Sequence, residues 1–177
     1  MADIPRITSD RLILRPHDAG DLDACLAMWS DERVVRFIGG KPADLAETWA
    51  RMLRYRGLWQ LLGYGYWLVA ERQTGAFVGE VGFADFKRGL GADDLYLPEA
   101  GWAISPDQAG RGYATEAAET AHRWFDTTHG GGSFCMISDG NAASVRVAEK
   151  LGYGFSHTLS YKGEPTGIFL RRGAPAT

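Results

Sequence analysis

The sequence predicts a mixed α/β domain in which strands and helices follow one another irregularly around one sheet. Three observations carry this. Short runs rich in aromatic and β-branched residues, such as residues 64–70 and 76–83, have the length and character of strands. Other segments repeat apolar residues at three and four positions, the spacing of one helix face. The resulting order is strand, two helices, three strands, helix, strand, helix, two strands, and this departs from the strict alternation of a parallel sheet.

Residues 11–15, Arg-Leu-Ile-Leu-Arg, form the first strand, ended by Pro16, which brings no N–H to a ladder. Asp18 and Asp21 suit a helix start, and Leu22, Cys25, Leu26 and Trp29 then line its buried side. Residues 30–40 are a connection with an apolar centre at Val34, Val35, Phe37 and Ile38. Asp44 and Glu47 have capping-box spacing. They open a second helix that buries Leu45, Trp49, Met52 and Leu53 and runs to about Gly57. Residues 64–70 and 76–83 form an antiparallel hairpin turned at Thr74-Gly75. A glycine-bearing loop over 87–94 leads to a strand at 95–104.

The stretch 99–114, EAGWAISPDQAGRGYA, holds the densest functional signal. A short apolar strand passes through Ser-Pro-Asp into Gln108, Ala109, Gly110, Arg111, Gly112, Tyr113 and Ala114. Two glycines one residue apart allow a tight turn with no Cβ between its amides and a ligand. From Ala114 on, Ala117, Ala118, Ala121, Trp124 and Phe125 share one helix face. A strand, a glycine turn and a helix start suit a phosphate or pyrophosphate, because the unpaired first-turn amides carry partial positive charge. The run has no Gly-Lys-Ser/Thr and no third glycine at the dinucleotide spacing, so the two commonest nucleotide loops do not fit. An ordinary glycine turn capping a helix remains the alternative.

Beyond this helix, Gly130, Gly131 and Gly132 end it, and residues 133–137 form the next strand. Asp139-Gly140-Asn141 turns into a helix carrying Val147 and Leu151, stopped by Gly152. Residues 153–161 and 166–171, around Gly163-Glu164-Pro165, make a closing hairpin, and the tail from Gly173 is expected to fray.

The 177 residues are 45% hydrophobic and 23% charged, without a linker or internal repeat, and are expected to form a single domain over 1–177. A net charge of −3 and a pI near 5.8 argue against nucleic acid and anionic membranes as partners. No apolar run approaches the ~18 residues of a membrane helix and no signal segment opens the chain, so a cytoplasmic location is expected. Cys25 and Cys135 read as buried free thiols. The histidines at 17, 122, 129 and 157 lack paired spacing, so no metal is expected. His122 and His129 read as surface residues. No Gly-x-Ser-x-Gly is present, so serine-hydrolase chemistry has no support.

Gln108, Gly110, Arg111, Gly112 and Ala114 together resemble the acyl-coenzyme A pyrophosphate loop of the GNAT superfamily of N-acetyltransferases. Three further stretches strengthen the resemblance: TSDRLILRP at 8–16, PEAGWAI at 98–104, and Asn141-x-x-Ser144 followed by Glu149-Lys150-Leu151-Gly152-Tyr153. They occur in the order of the branch containing the ribosomal-protein-alanine N-acetyltransferases and span nearly the whole chain. The resemblance implies a central, mostly antiparallel sheet flanked by helices, acetyl-CoA as cosubstrate, and a primary amine as acceptor, either a protein N-terminus or a small molecule. It implies a monomer or homodimer.

Acetyl transfer needs a held thioester, a deprotonated amine, a donor for the developing oxyanion and a proton for the thiolate. By resemblance, the backbone of Trp102, Ala103 and Ile104 takes the pantetheine arm like an added strand, and residues 108–114 take the pyrophosphate. Glu99 is the candidate base, or orders a water that relays the proton; the alternative is a solvated strand-end carboxylate. Many members place a tyrosine seven residues after the asparagine to protonate the thiolate, but that position is Ala148 here. Ser144, one turn earlier on the same face, is the candidate in its place. Asn141 is expected to bond the pantetheine, to cap its helix, or both. Asp93, Asp94 and Glu99 suggest an acidic lip that favours a cationic acceptor. A different class of protein, a coenzyme A-binding sensor or interaction module without turnover, is the alternative that Ala148 favours.

Overall fold

The computed structural model describes residues 3–90 and 97–173. Eight strands, β1 (Ile7–Thr8), β2 (Leu12–Arg15), β3 (Tyr66–Glu71), β4 (Phe77–Ala84), β5 (Glu99–Ile104), β6 (Ser133–Ser138), β7 (Gly154–Tyr161) and β8 (Glu164–Arg171), join in one sheet ordered β1-β2-β3-β4-β5-β6-β8-β7. Each neighbouring pair is antiparallel except β5 and β6. The helices are α1 (Leu22–Trp29), α2 (Glu32–Val35), α3 (Leu45–Leu62), α4 (Tyr113–Thr128) and α5 (Ala142–Lys150).

One sheet face carries α4. Its Ala117, Ala118, Ala121 and Phe125 pack with Leu12, Leu14, Trp67, Val81 and Phe83, and the Phe83 and Phe125 rings stack at 4.1 Å. Small alanines bring this helix close to the sheet, and each large apolar side chain buried there contributes about 1.5–3 kcal/mol. The opposite face carries α1 and α3, with Cys25, Met28, Trp29 and Met52 against Leu68, Ala70 and Ala103.

The capping box of α3 forms in both directions: Glu47 N–H donates to Asp44 and Asp44 N–H donates to Glu47. The helix then passes the expected stop at Gly57 and ends at Gly63, which is left-handed at φ 76°. Burial of Leu58 and Trp59 outweighs the ~1 kcal/mol that an interior glycine costs. Its inward face also differs from the expected one. Thr48, Met52, Tyr55 and Trp59 are buried, whereas Leu45, Trp49 and Leu53 are exposed at 54, 38 and 53%. Thr48 can face inward because its hydroxyl donates to the Asp44 carbonyl at 2.8 Å. That bond satisfies the hydroxyl inside the core, so packing on the sheet can set the inward face one residue away from the apolar pattern.

Smaller differences have similarly local causes. Asp31 accepts from Arg33 N–H and starts the short α2 inside the expected connection. The brief β1 pairs with β2 ahead of the first expected strand. The closing hairpin turns at Lys162 and Gly163, both at positive φ, which suits a two-residue connection. Pro165 therefore lies within β8, just past the last β6 pair at Ser138 and Thr166, where no N–H is needed toward β6. No helix among the described residues is long and apolar enough to cross a membrane.

Candidate active site

The sheet opens at its one parallel junction. β5 is paired with β4 along its whole length, from Glu99 opposite Ala84 to Ile104 opposite Gly79. It registers with β6 only where Glu99 lies opposite Phe134, beside the Phe134 N–H that donates to the Pro98 carbonyl at 3.0 Å. Past that point Trp102, Ala103 and Ile104 have no ladder partner on the β6 side among the described residues.

Directly after β5, a 3-10 turn at Pro106–Gln108 leads to Gly110 and Gly112, at φ 77° and 78°, and into α4. Side chains other than glycine avoid this region. No side chain caps α4, so its first-turn amides have no side-chain acceptor. The turn is held from behind. Arg11 donates to the Arg111 carbonyl at 3.0 Å, while Arg11 and Ser9 both bond Glu116 on the first turn of α4. The Tyr113 hydroxyl is anchored on Glu71 at 2.7 Å. Gln108 Oε1 is buried without a partner among the described residues, leaving an acceptor for an N–H donor. An uncapped helix start, an orphaned acceptor and an unpaired strand edge fit a long ligand with a phosphate end and an amide-bearing arm.

On α5, Asn141 is the N-cap, its Oδ1 accepting from Ser144 N–H at 3.2 Å. Ser144 is half-buried, and its hydroxyl makes no hydrogen bond among the described residues. Ala148 is fully buried.

Glu99 lies on the α1/α3 face and is 7% exposed. Instead of standing free it is held by a guanidinium fork, with Arg88 Nε 2.6 Å from Oε2 and Nη2 2.9 Å from Oε1. Arg88 Nη1 donates to the Tyr161 hydroxyl at 2.6 Å. Burial works against the Arg88 cation, but the Glu99 hydrogen bond and charge raise its pKa above the ordinary value. Two residues along β5, Gly101 has no room for a side chain: a Cβ there would lie 2.1 Å from the Tyr66 hydroxyl. Tyr66 stacks on Tyr55 at 4.3 Å. Burial foremost, then Tyr55 and Glu99, push the Tyr66 phenol well above its ordinary range, and burial pushes Tyr55 up to about 12. Arg51 follows, its Nη1 donating to the Tyr55 hydroxyl at 3.3 Å and its guanidinium 3.8 Å over Trp29.

Of the three residues expected to form an acidic lip, Glu99 is paired with Arg88. Asp93 and Asp94 lie outside the described residues. His122 is also corrected: it is 4% exposed, with Nδ1 2.7 Å from the Ala118 carbonyl and Nε2 2.8 Å from the Tyr153 hydroxyl. Burial pulls its pKa down to about 4. Tyr153 is core, at 4% exposed, and also bonds Ser133. His129 is exposed.

Although the histidine spacing gave no metal signal, the fold brings His17, Cys25 and Glu80 together, with ligand atoms within 4.8 Å of one another. Glu80 is fully buried, and donors occupy it. His17 Nε2 at 2.9 Å and the Cys25 thiol at 3.5 Å meet Oε1, and Trp29 Nε1 at 2.9 Å meets Oε2. Both cysteines are free and buried.

The aromatic-rich segments 55–67 and 83–86 read as candidate walls of an acceptor pocket, but nothing in the sequence ties Tyr55 and Tyr66 to Arg51, Arg88, Tyr161 or Glu99. The Glu99 partners lie 11 residues away and, through Arg88, 73 residues further on. Only the pairing of β4 with β5 and the return of the β7–β8 hairpin assemble them.

Among known families, the one described as acetyltransferase (GNAT) domain matches residues 11–154. A curated relative, the Bacillus subtilis protein YkkB, is 31% identical over 113 residues, 62% of this chain and 63% of that protein's length. Among solved structures, a putative GNAT-family acetyltransferase from Bordetella pertussis superposes with a TM-score of 0.84 at 27% identity, covering 95% of this chain and 99% of that one. The ribosomal alpha-N-protein acetyltransferase RimL, solved in complex with coenzyme A, has a TM-score of 0.77 at 15% identity, covering 95% and 98%. At that identity the likeness concerns the fold.

Proposed function

Because this chain belongs to the GNAT acetyltransferase family, we propose that it moves an acetyl group from acetyl-CoA to a primary amine by direct attack with both substrates bound. The observation that carries this reading is the single-pair junction of β5 and β6 followed at once by the glycine turn and the uncapped start of α4. Acetyl-CoA supplies the activated acyl group. In this reading the amides of residues 110–114 hold its pyrophosphate, helped by the positive end of α4. Gln108 Oε1 accepts from an amide of the pantetheine. The backbone of Trp102, Ala103 and Ile104 pairs with the arm, and one of these amides donates to the developing oxyanion. Asn141 keeps its side-chain N–H groups for the same arm while its oxygen caps α5.

On the acceptor side, the Arg88 fork fixes Glu99 but leaves each carboxylate oxygen a further lone pair. Glu99 is then positioned to accept from the amine or from a water that relays its proton. Ser144 carries the proton for the departing thiolate, since Ala148 has no polar group. The acceptor is a protein N-terminus or a small-molecule amine. The buried Ala148 favours, as a second reading, a module that binds coenzyme A without turnover.

Calorimetry with acetyl-CoA, followed by thiol release and mass detection of acetylated amine, separates the two readings. Binding with release supports the enzyme, binding without release across a broad amine set supports the module, and no binding removes both. In the enzyme, Glu99→Gln should lower kcat about 10²-fold and lose the acidic limb of the pH profile. A parent-like profile would take the carboxylate out of proton transfer.

A further inference from the structure

The α1/α3 face beside β5 is rich in hydrogen-bond donors and poor in acceptors. Arg51 Nε is buried with no partner among the described residues, and its one hydrogen bond is the long donation to Tyr55. The Tyr55 hydroxyl accepts that bond and still has its own proton to give. The Tyr66 hydroxyl, pressed against Gly101, makes no hydrogen bond among the described residues. Burial keeps both phenols protonated at neutral pH. Arg54, one turn from Arg51, lies 5.1 Å over Phe86 and has no carboxylate within 4 Å among the described residues.

The nearby carboxylates do not meet this demand. Glu99 is taken by Arg88. Glu80 is close enough to favour the Arg51 cation, but His17, Cys25 and Trp29 occupy both of its oxygens. Among these five residues, Arg51, Arg54 and Arg88 outnumber Glu80 and Glu99 by one charge. Buried donors left unpaired cost about 1–3 kcal/mol each, and an ionised oxygen pair meets several at once.

We propose that Arg51, Tyr55 and Tyr66 form a subsite for a carboxylate on the acceptor, so that the substrate class is a small amine that also carries a carboxylate. This rests on the acetyltransferase reading, because the subsite abuts β5 at Gly101, one residue from Trp102 and two from Glu99. A carboxylate held there places an amine a few bonds away beside the opening in the sheet. It departs from the expectation of a cationic acceptor, which drew on Asp93, Asp94 and Glu99, of which Glu99 is paired with Arg88. A phosphate of the cosubstrate does not suit this place, since the uncapped helix start lies on α4, across the sheet.

The test measures kcat/KM for α-, β- and γ-amino acids, each against its own carboxamide, with acetyl-CoA affinity measured alongside by calorimetry. The best pair should favour the free carboxylate at least tenfold. Arg51→Met, which keeps an unbranched side chain of similar length beside Trp29, should remove most of that preference, and Tyr66→Phe should reduce it, with acetyl-CoA affinity unchanged in both. A structural role alone would move both members of a pair together. Equal rates, a preference for carboxamides, or a preference retained in both variants overturns the subsite. If acetyl-CoA binds but no pair reacts, N-acetyl amino acids are titrated into the coenzyme A complex; failure to bind them better than their amides overturns it equally. Failure of acetyl-CoA to bind would remove the acetyltransferase reading itself.

Discussion

Glu80 is a carboxylate without solvent, and its three donors are what make its burial tolerable. Glu80→Gln would set an amide N–H₂ against one set of those donors, and we expect a loss of about 2 kcal/mol in urea unfolding, the scale of a buried unpaired donor. A variant as stable as the parent would mean that the cluster contributes nothing to folding. His122 gives a pH signature. Its folded pKa of about 4 lies below the ordinary value of 6.5, so between these values the unfolded chain binds the extra proton. The stability tied to neutral His122 is full above about 6.5 and falls as pH drops toward 4, by about 3 kcal/mol at most. Urea midpoints from pH 7 to 4 should fall less steeply in His122→Gln than in the parent. Residues of this kind are nearly silent in sequence. His122, eight residues after Ala114, lies at the edge of the buried helix face; its residue type points to the surface, and its partner Tyr153, 31 positions on, accounts for its burial.

At the scale of elements, what is local was legible and what depends on packing was not. The Asp44–Glu47 box and the two glycines before α4 act within a few residues: the box forms, and both glycines take the positive φ of a tight turn. The inward face of α3 is set by the sheet beneath it, so the apolar pattern put Trp49 inside where Thr48 is buried instead. Arg88 on Glu99 was equally out of reach, because a loop residue was paired to a strand end across a β-ladder. The glycine turn gives the prediction belonging to this scale. The space at Gly112 is open, with Arg11 Nη2 3.6 Å from a built Cβ, so Gly112→Val strains the positive φ by about 1–3 kcal/mol without a severe clash. Acetyl-CoA should bind it at least tenfold more weakly while the circular dichroism spectrum stays that of the parent. Unchanged affinity in a folded variant would place the pyrophosphate elsewhere.

For the molecule as a whole, one sheet separates two kinds of surface. The α4 side offers amides and a positive helix end, and the α1/α3 side offers aromatic rings, guanidinium groups and the paired Glu99. Among the described residues β5 and β6 share a single pair, and the proposed function puts the chemistry at the opening beyond it. Hydrogen exchange with and without acetyl-CoA, resolved to single amides, tests this directly. Slowed exchange should appear at Trp102–Ile104 and through residues 110–114, with α3 and the β7–β8 hairpin unchanged. Protection confined to other elements, or none at saturating acetyl-CoA, would contradict the assignment of the site to this opening.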